Sequence, residues 1–169
     1  RDYYRESLAE AHRIPAENVF TDWADLARKP RLADAALICT SDALHAEPAV
    51  ACARRGYHIL LEKPMAPNPA DCRRIVDTAR ENNITLAVCH VLRYTVRTRK
   101  LKALIESGLI GEVMHIDHVE PVGYWHQAHS FVRGNWRNSV ESSPMLLAKS
   151  CHDLDFIRHL LGIPCVRVS

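Results

Sequence analysis

Short, nearly continuous apolar runs alternate with stretches of helical periodicity in the first half of the chain. The apolar runs lie at 35–40, 57–61 and 84–89, and such runs are typical of strands buried on both faces. Helical stretches at 44–55 and 68–81 separate them. This rhythm of strand, helix, strand, helix, strand predicts a parallel sheet built from right-handed βαβ units.

Capping residues and helix breakers set the ends of the predicted helices. Asn68 is an expected N-cap with Pro69 at the first helical position, an arrangement that favours helix initiation. Gly56 is placed to end the preceding helix. Upstream of the first strand, helices are expected at 2–13 and 22–28.

After His90 the pattern changes, and we expect a domain boundary near 92–97. The elements expected beyond it are a helix at 98–107, a strand at 112–120, a long loop at 121–138, a helix from an N-cap at Ser143 to the residue before Gly162, and the start of a strand at 165–169. We find no internal repeat.

Composition narrows the class of protein. With 47% hydrophobic and 25% charged residues among 169, the chain has the composition of a globular protein. Its net charge of +2 lacks the electrostatic footprint of a nucleic-acid binder. No apolar run reaches the roughly 18 residues of a membrane span. The six cysteines are scattered without a CxxC motif, which predicts small buried side chains in a reducing, cytoplasmic compartment.

Polar residues follow each predicted strand at its carboxyl end. They are Thr40, Ser41 and Asp42 after the first strand, Glu62 and Lys63 after the second, and His90 after the third. Because parallel strands point the same way, these groups should converge at one edge of the sheet, where such sheets bind ligands. Lys63 is the sharpest candidate, since a partly buried lysine is suited to acid–base chemistry.

Five segments, in the same order, resemble motifs of the Gfo/Idh/MocA family (glucose–fructose oxidoreductase and inositol dehydrogenase). They are Cys39 to His45 (CTSDALH), Leu61 to Ala66 (LEKPMA), His90 to Tyr94 (HVLRY), Gly108 to Val113 (GLIGEV) and Cys151 to Asp155 (CHDLD). The resemblance covers nearly the whole chain. EKP alone is a weak signature, whereas five motifs in order are specific.

The resemblance implies an oxidoreductase that transfers hydride between NAD or NADP and a hydroxyl of a sugar, polyol or related compound. It implies a partial Rossmann domain at 1–94, followed at 95–169 by the start of an α+β domain with a mostly antiparallel sheet. Homo-oligomers that associate through that sheet are expected for the whole protein.

The resemblance also implies roles for individual residues. Lys63 would exchange the proton of the substrate hydroxyl, and His152 would orient the substrate and share the proton work. Thr40, Ser41, Asp42, His45, Glu62, Lys63 and His90 would line the dinucleotide. Arg93, Tyr94, Trp125, His126, Lys149 and His152 would contact the substrate.

One departure from the family bears on chemistry. The family often has an aspartate four residues before the histidine, where this chain has Ala148. Lys149, three residues before His152, faces roughly the same way and is either a substituted polar contact or a solvated helix lysine. Two alternatives to a dehydrogenase follow: a glycoside hydrolase that oxidises its sugar transiently, and a catalytically silent relative.

The remaining histidines raise the question of a metal. His115 and His118 are three residues apart, which places them on opposite faces of a strand, and His126 and His129 lie in the expected loop. Zinc needs about four ligands, so we predict no metal here. Trp125, His126, Arg133 and Trp136 are expected instead to contact the substrate or to pack.

No GxGxxG motif occurs in the chain. Both ends look cut, so we expect that phosphate-binding turn, and the residue that selects NAD or NADP, upstream of Arg1. Residues 1–169 alone are therefore expected to bind the cofactor poorly.

Overall fold

The computed structural model describes residues 2–139 and 141–169, apart from the side chain of Asp2. The helices are α1 (Asp2–Ala11), α2 (Trp23–Arg28), α3 (Ala46–Arg54), α4 (Pro69–Glu81), α5 (Val96–Glu106), α6 (Tyr124–Gln127) and α7 (Met145–Leu161). The strands are β1 (Ala35–Ile38), β2 (His58–Leu61) and β3 (Leu86–Val88). Short 3₁₀ turns lie at Ala16–Asn18, Asp42–Leu44 and Val91–Tyr94, and a π-helical turn at Ala128–Val132.

The three strands form one parallel sheet in the order β1-β2-β3. Ala36 pairs with Ile59, and Ile59 pairs in turn with Leu86, so all three strands run toward the same edge. The predicted βαβαβ arrangement is therefore confirmed, with α3 and α4 as the connecting helices. Asn68 caps α4 as predicted, since its side-chain oxygen accepts from the Asp71 amide at 2.9 Å.

Helices α3 and α4 pack on one face of the sheet and bury its core. Leu61 is fully buried there, together with Ile59 and Ile75. On the opposite face Leu37 is 69% exposed and Leu60 39% exposed. The expectation that these strands are buried on both faces is therefore wrong for this chain, because among its described residues no helix covers the second face.

The second half of the chain departs from the sequence prediction at three places. Residues 112–120 form no strand, since nothing among the described residues pairs with them as a ladder neighbour. The same holds for 165–169. The expected loop at 121–138 instead contains α6 and the π-helical turn, both too short for a periodic apolar pattern to indicate. The last helix is confirmed, although Pro144 rather than Ser143 occupies the N-cap position.

The division between residues 94 and 95 falls where the 3₁₀ turn ends and the N-cap of α5 begins; it stays a prediction. All six cysteines are free thiols, but only Cys52 is buried, while Cys39 and Cys165 are exposed. None of the helices that the structure describes is long and apolar enough to cross a membrane.

The two faces of the sheet predict opposite outcomes for matched leucine substitutions. Leu61→Ala should destabilise the 169-residue chain by about 2–5 kcal/mol, because it leaves a cavity in a closed core. Leu37→Ala, on the open face, should change the free energy of unfolding by less than about 0.5 kcal/mol. Urea denaturation of both variants checks this, and equal losses would contradict the one-sided core.

Candidate active site at the carboxyl edge of the sheet

The turns that follow β1 and β2 open into a shared cavity of about 430 Å³. The residues of those turns that line it are Cys39, Thr40, Ser41, Asp42, Glu62, Lys63 and Pro64. The structure thus brings together five of the predicted site residues, which are far apart in the sequence. Thr40 and Ser41 are exposed, so their polar groups are available to a ligand.

His45 lies beneath these turns and holds them together. Its ring is 1% exposed, and its Nδ1 and Nε2 lie 2.9 Å from the carbonyl oxygens of Pro64 and Thr40, respectively. The ring therefore bridges the turn after β2 and the turn after β1. We predicted that His45 lines the dinucleotide, but the structure places its side chain under the cavity, where it positions residues that do face it.

Lys63 reaches from the turn after β2 to helix α7. Its Nζ donates to the carbonyl oxygen of Ala148 at 3.0 Å, and its backbone N–H donates to the carboxylate of Glu62 at 3.0 Å. The peptide bond between Lys63 and Pro64 is cis. The family often has an aspartate at the position of Ala148. In this chain the backbone carbonyl of Ala148 accepts the hydrogen bond from the Lys63 ammonium instead.

His90 and His152 meet in an edge-to-face contact with their ring centroids 5.8 Å apart. The Nδ1 atom of each ring is buried and has no hydrogen-bond partner among the described residues. Burial lowers the pKa of both imidazoles, and the nearby charge of Lys63 lowers the pKa of each further. Both rings are therefore neutral near pH 7.

Arg93 ties the segment after β3 to helix α7. Its guanidinium grips the Asp155 carboxylate with two hydrogen bonds, of which the one from Nε is 2.8 Å long. Asp155 is partly buried, which would raise its pKa, but these bonds hold that pKa below the ordinary value. The same carboxylate lies 3.9 Å from Nδ1 of His90. We predicted that Arg93 binds the substrate; the structure places its guanidinium in hydrogen bonds to Asp155 of α7.

The far wall of the cavity comes from the segment that we expected to be a loop. His126, Ser130, Phe131 and Trp136 line it, and the His126 ring stacks on Phe131. The chain turns back sharply at Gly134, where a Cβ would lie 2.3 Å from the carbonyl oxygen of His129. Only glycine fits there, and the turn carries Trp136 back over the sheet edge.

The other predicted substrate residues differ in their placement. Lys149 lines the cavity, and its Nζ lies 3.8 Å from a carboxylate oxygen of Glu120. Trp125 is 68% exposed beside His126, and it is not among the lining residues. Tyr94 is 73% exposed and borders a separate groove with Arg99 and Lys102. The structure therefore groups Lys149 and His126 with Lys63, and it leaves Tyr94 outside the cavity.

One group of possible metal ligands lies close together among the residues that the structure describes. The donor atoms of His118, Glu120 and Asp153 fall within 4.8 Å of one another. His118 is already hydrogen-bonded to Asp153 at 2.8 Å, and the Lys149 ammonium lies beside Glu120. Asp153 and Glu120 thus each have a polar partner within the described residues. The prediction of no metal stays a prediction.

Sequence reasoning missed the partners of the buried groups. The Ala148 carbonyl that binds Lys63 and the Ser143 amide that binds Asp42 are backbone groups, which leave no signal in residue identity. The two hydrogen bonds from Arg93 to Asp155, which join the segment after β3 to α7, were likewise not predicted. A signal did exist for the far wall: glycine followed by tryptophan within an aromatic, aperiodic stretch.

Comparisons with known proteins agree with this geometry. A family model described as an oxidoreductase family with an NAD-binding Rossmann fold matches residues 4–90. A second model, described as the C-terminal alpha/beta domain of an oxidoreductase family, matches residues 102–169.

Three curated relatives illustrate the proteins to which the chain is similar in sequence. An uncharacterized oxidoreductase of Streptococcus pneumoniae is 33% identical over 76% of this chain and 34% of its own length. A 2,7-anhydro-N-acetylneuraminate hydratase of Escherichia coli is 30% identical over 78% of this chain and 34% of its own length. A levoglucosan dehydrogenase of Pseudarthrobacter phenanthrenivorans is 30% identical over 93% of this chain and 40% of its own length.

A solved structure also resembles the fold. The WlbA dehydrogenase from Bordetella pertussis, in complex with NADH and UDP-GlcNAcA, has a TM-score of 0.65 and 25% identity over 84% of this chain and 40% of its own. The chain thus spans between 34% and 40% of the length of these relatives.

The closeness of Lys63 to His152 predicts a linked titration. Lys63→Met should raise the pKa of His152 toward its ordinary value, because the substitution removes a positive charge that disfavours the imidazolium. As a control, Lys102→Met should raise the pKa of His159 and leave that of His152 unchanged. NMR titration of the ring protons measures both, and an unmoved His152 would contradict the predicted electrostatic contact.

Proposed function

The chain belongs to the Gfo/Idh/MocA oxidoreductase family, and from that premise we propose that the whole protein transfers hydride between NAD or NADP and a hydroxyl-bearing carbon of a sugar or polyol. The chain supplies the carboxyl edge of the Rossmann sheet and the helix that faces it. Lys63 and His152 are the catalytic residues of this proposal.

The position of Lys63, in the turn directly after β2, is the observation that supports the proposal. Its ammonium is fixed by the Ala148 carbonyl in a cavity that also holds Thr40 and Ser41. The neutral His152 stands close enough for the lysine charge to lower its pKa. A base and a neutral imidazole beside a polar turn are what proton removal from a bound hydroxyl requires.

The proton work follows from these groups. Lys63, as the amine, would take the proton of the substrate hydroxyl, and the Ala148 carbonyl keeps its Nζ in one place in either protonation state. His152 would orient the hydroxyl through its neutral imidazole. A bound nicotinamide would supply the hydride acceptor or donor. In the reverse direction Lys63 would return the proton.

The residues present fit a dinucleotide at the open edge of the sheet. Thr40 and Ser41 are exposed on the turn after β1, and Glu62 lines the cavity beside them. His90 follows β3 at the same edge of the sheet, and its side chain is partly exposed. Thr40, Ser41, Glu62 and His90 would hold the cofactor, Asp42 would fix the turn from within the cavity lining, and His45 would support it from below.

The far wall would bind the substrate. Lys149 and His126 line the cavity near Lys63 and offer polar contacts to a hydroxylated ring. Trp125, Arg93 and Tyr94 are more remote, and of these Arg93 acts through Asp155. Levoglucosan dehydrogenase and the UDP-GlcNAcA complex of WlbA support sugars as the substrate class. We further propose that the whole protein forms homo-oligomers. We also propose a cytoplasmic location, which the six free thiols support.

Substitution of Lys63 tests the proposed chemistry in the whole protein. Lys63→Met should lower kcat for NAD(P)-dependent oxidation of the best substrate in a sugar and polyol panel by about 10²–10⁴-fold, because general base catalysis is lost. The control Lys102→Met, on α5, should leave kcat within about twofold. Appearance of NADH or NADPH absorbance measures the rate.

Two other outcomes would point to the alternatives. Glycosidic cleavage without net NADH formation would support the hydrolase that oxidises its sugar transiently. A measurable function that survives Lys63→Met would support the catalytically silent relative.

A further inference from the structure

Asp42 is a buried carboxylate that joins parts of the chain far apart in sequence. It stands at the turn after β1 and is only 4% exposed. A single oxygen, Oδ2, accepts from the indole Nε1 of Trp136 at 3.3 Å and from the backbone amide of Ser143 at 3.1 Å. These donors lie 94 and 101 residues further along the chain.

The two hydrogen bonds determine the charge state of this carboxylate. Burial alone would raise the pKa of Asp42, but the donors from Ser143 and Trp136 outweigh it and hold the pKa below the ordinary value. The group is therefore an anion near neutral pH, and hydrogen bonds to an anion are stronger than those between neutral groups.

Each donor belongs to a different part of the substrate side of the cavity. Trp136 lines the far wall itself. Ser143 directly precedes Pro144, the N-cap of α7, and the first turns of that helix provide the Ala148 carbonyl and Lys149. One carboxylate on the turn after β1 thus fixes both the wall and the start of the catalytic helix.

We infer that Asp42 is a positioning residue that couples the two halves of the site: a dinucleotide seated on Thr40 and Ser41 immobilises the Asp42 turn, and through it orders Trp136 and the start of α7. The inference rests on the proposed cofactor site. It assigns Asp42 a role different from the direct cofactor contact that the sequence predicted.

Hydrogen exchange in the whole protein, with and without saturating NADH, tests this coupling. In the wild type NADH should slow exchange in peptides that cover Trp136 and Ser143. Asp42→Ala should speed their exchange at least about tenfold, because two hydrogen bonds to an anion are lost, and NADH should no longer slow it. The Kd for NADH should change by less than about threefold, since the turn's own polar groups remain.

Two further variants separate positioning from general stability. Asp42→Asn keeps an oxygen that can accept both bonds, so it should restore the NADH effect that Asp42→Ala abolishes. Trp136→Phe removes the indole N–H together with the pyrrole ring but leaves Asp42 and its bond from Ser143 in place, so it should weaken the effect even if Asp42→Ala does not fold. Asp77→Ala, on the exposed side of α4, is the matched control and should change nothing.

The outcomes distinguish failure of the coupling through Asp42 from failure of the proposed cofactor site. NADH that binds the wild type but slows no exchange at Trp136 and Ser143 would overturn the coupling alone. Loss of NADH binding in Asp42→Ala, with wild-type exchange in the absence of NADH, would make Asp42 a cofactor ligand and overturn the positioning role. A wild-type protein that does not bind NADH would overturn the proposed cofactor site and the coupling with it.

Discussion

The parallel pairing of three short strands is the constraint on which the rest of the structure depends. Because β1, β2 and β3 run in the same direction, the polar residues that follow each strand lie at the same edge of the sheet. Thr40, Lys63 and His90 are thereby brought into one region. The apolar core beneath the sheet holds the strands in register.

Buried polar contacts then convert that edge into a fixed site. His45 clips the turns after β1 and β2, the fork from Arg93 to Asp155 holds the segment after β3 against α7, and Lys63 reaches the Ala148 carbonyl. Each contact crosses between elements. Polar groups withdrawn from water are costly when unpaired, so the two partly buried contacts with α7 favour one arrangement of that helix over the sheet.

The elements with a strong local pattern were predictable from the sequence. Asn68 and Pro69 mark the start of α4, and the apolar run before Glu62 marks β2, because capping and burial both act on neighbouring residues. The convergence of Asp42 and Lys63 also followed from the parallel arrangement. By contrast, the strand expected at 112–120 depends on a neighbour that a local pattern does not reveal, and the open face at Leu37 depends on what covers it. The acceptor for Lys63 is a backbone carbonyl, and the identity of residue 148 does not indicate that contact.

The edge between Lys63 and His152 should receive both a nicotinamide and a substrate hydroxyl. A crystal structure of the whole protein with NADH and a bound sugar or polyol tests it most directly. The account predicts C4 of the nicotinamide and the reacting carbon about 3–3.5 Å apart, with the substrate oxygen within hydrogen-bond distance of the Lys63 Nζ. A dinucleotide bound away from the turns after β1 and β2, or a substrate oxygen that touches neither Lys63 nor His152, would contradict it.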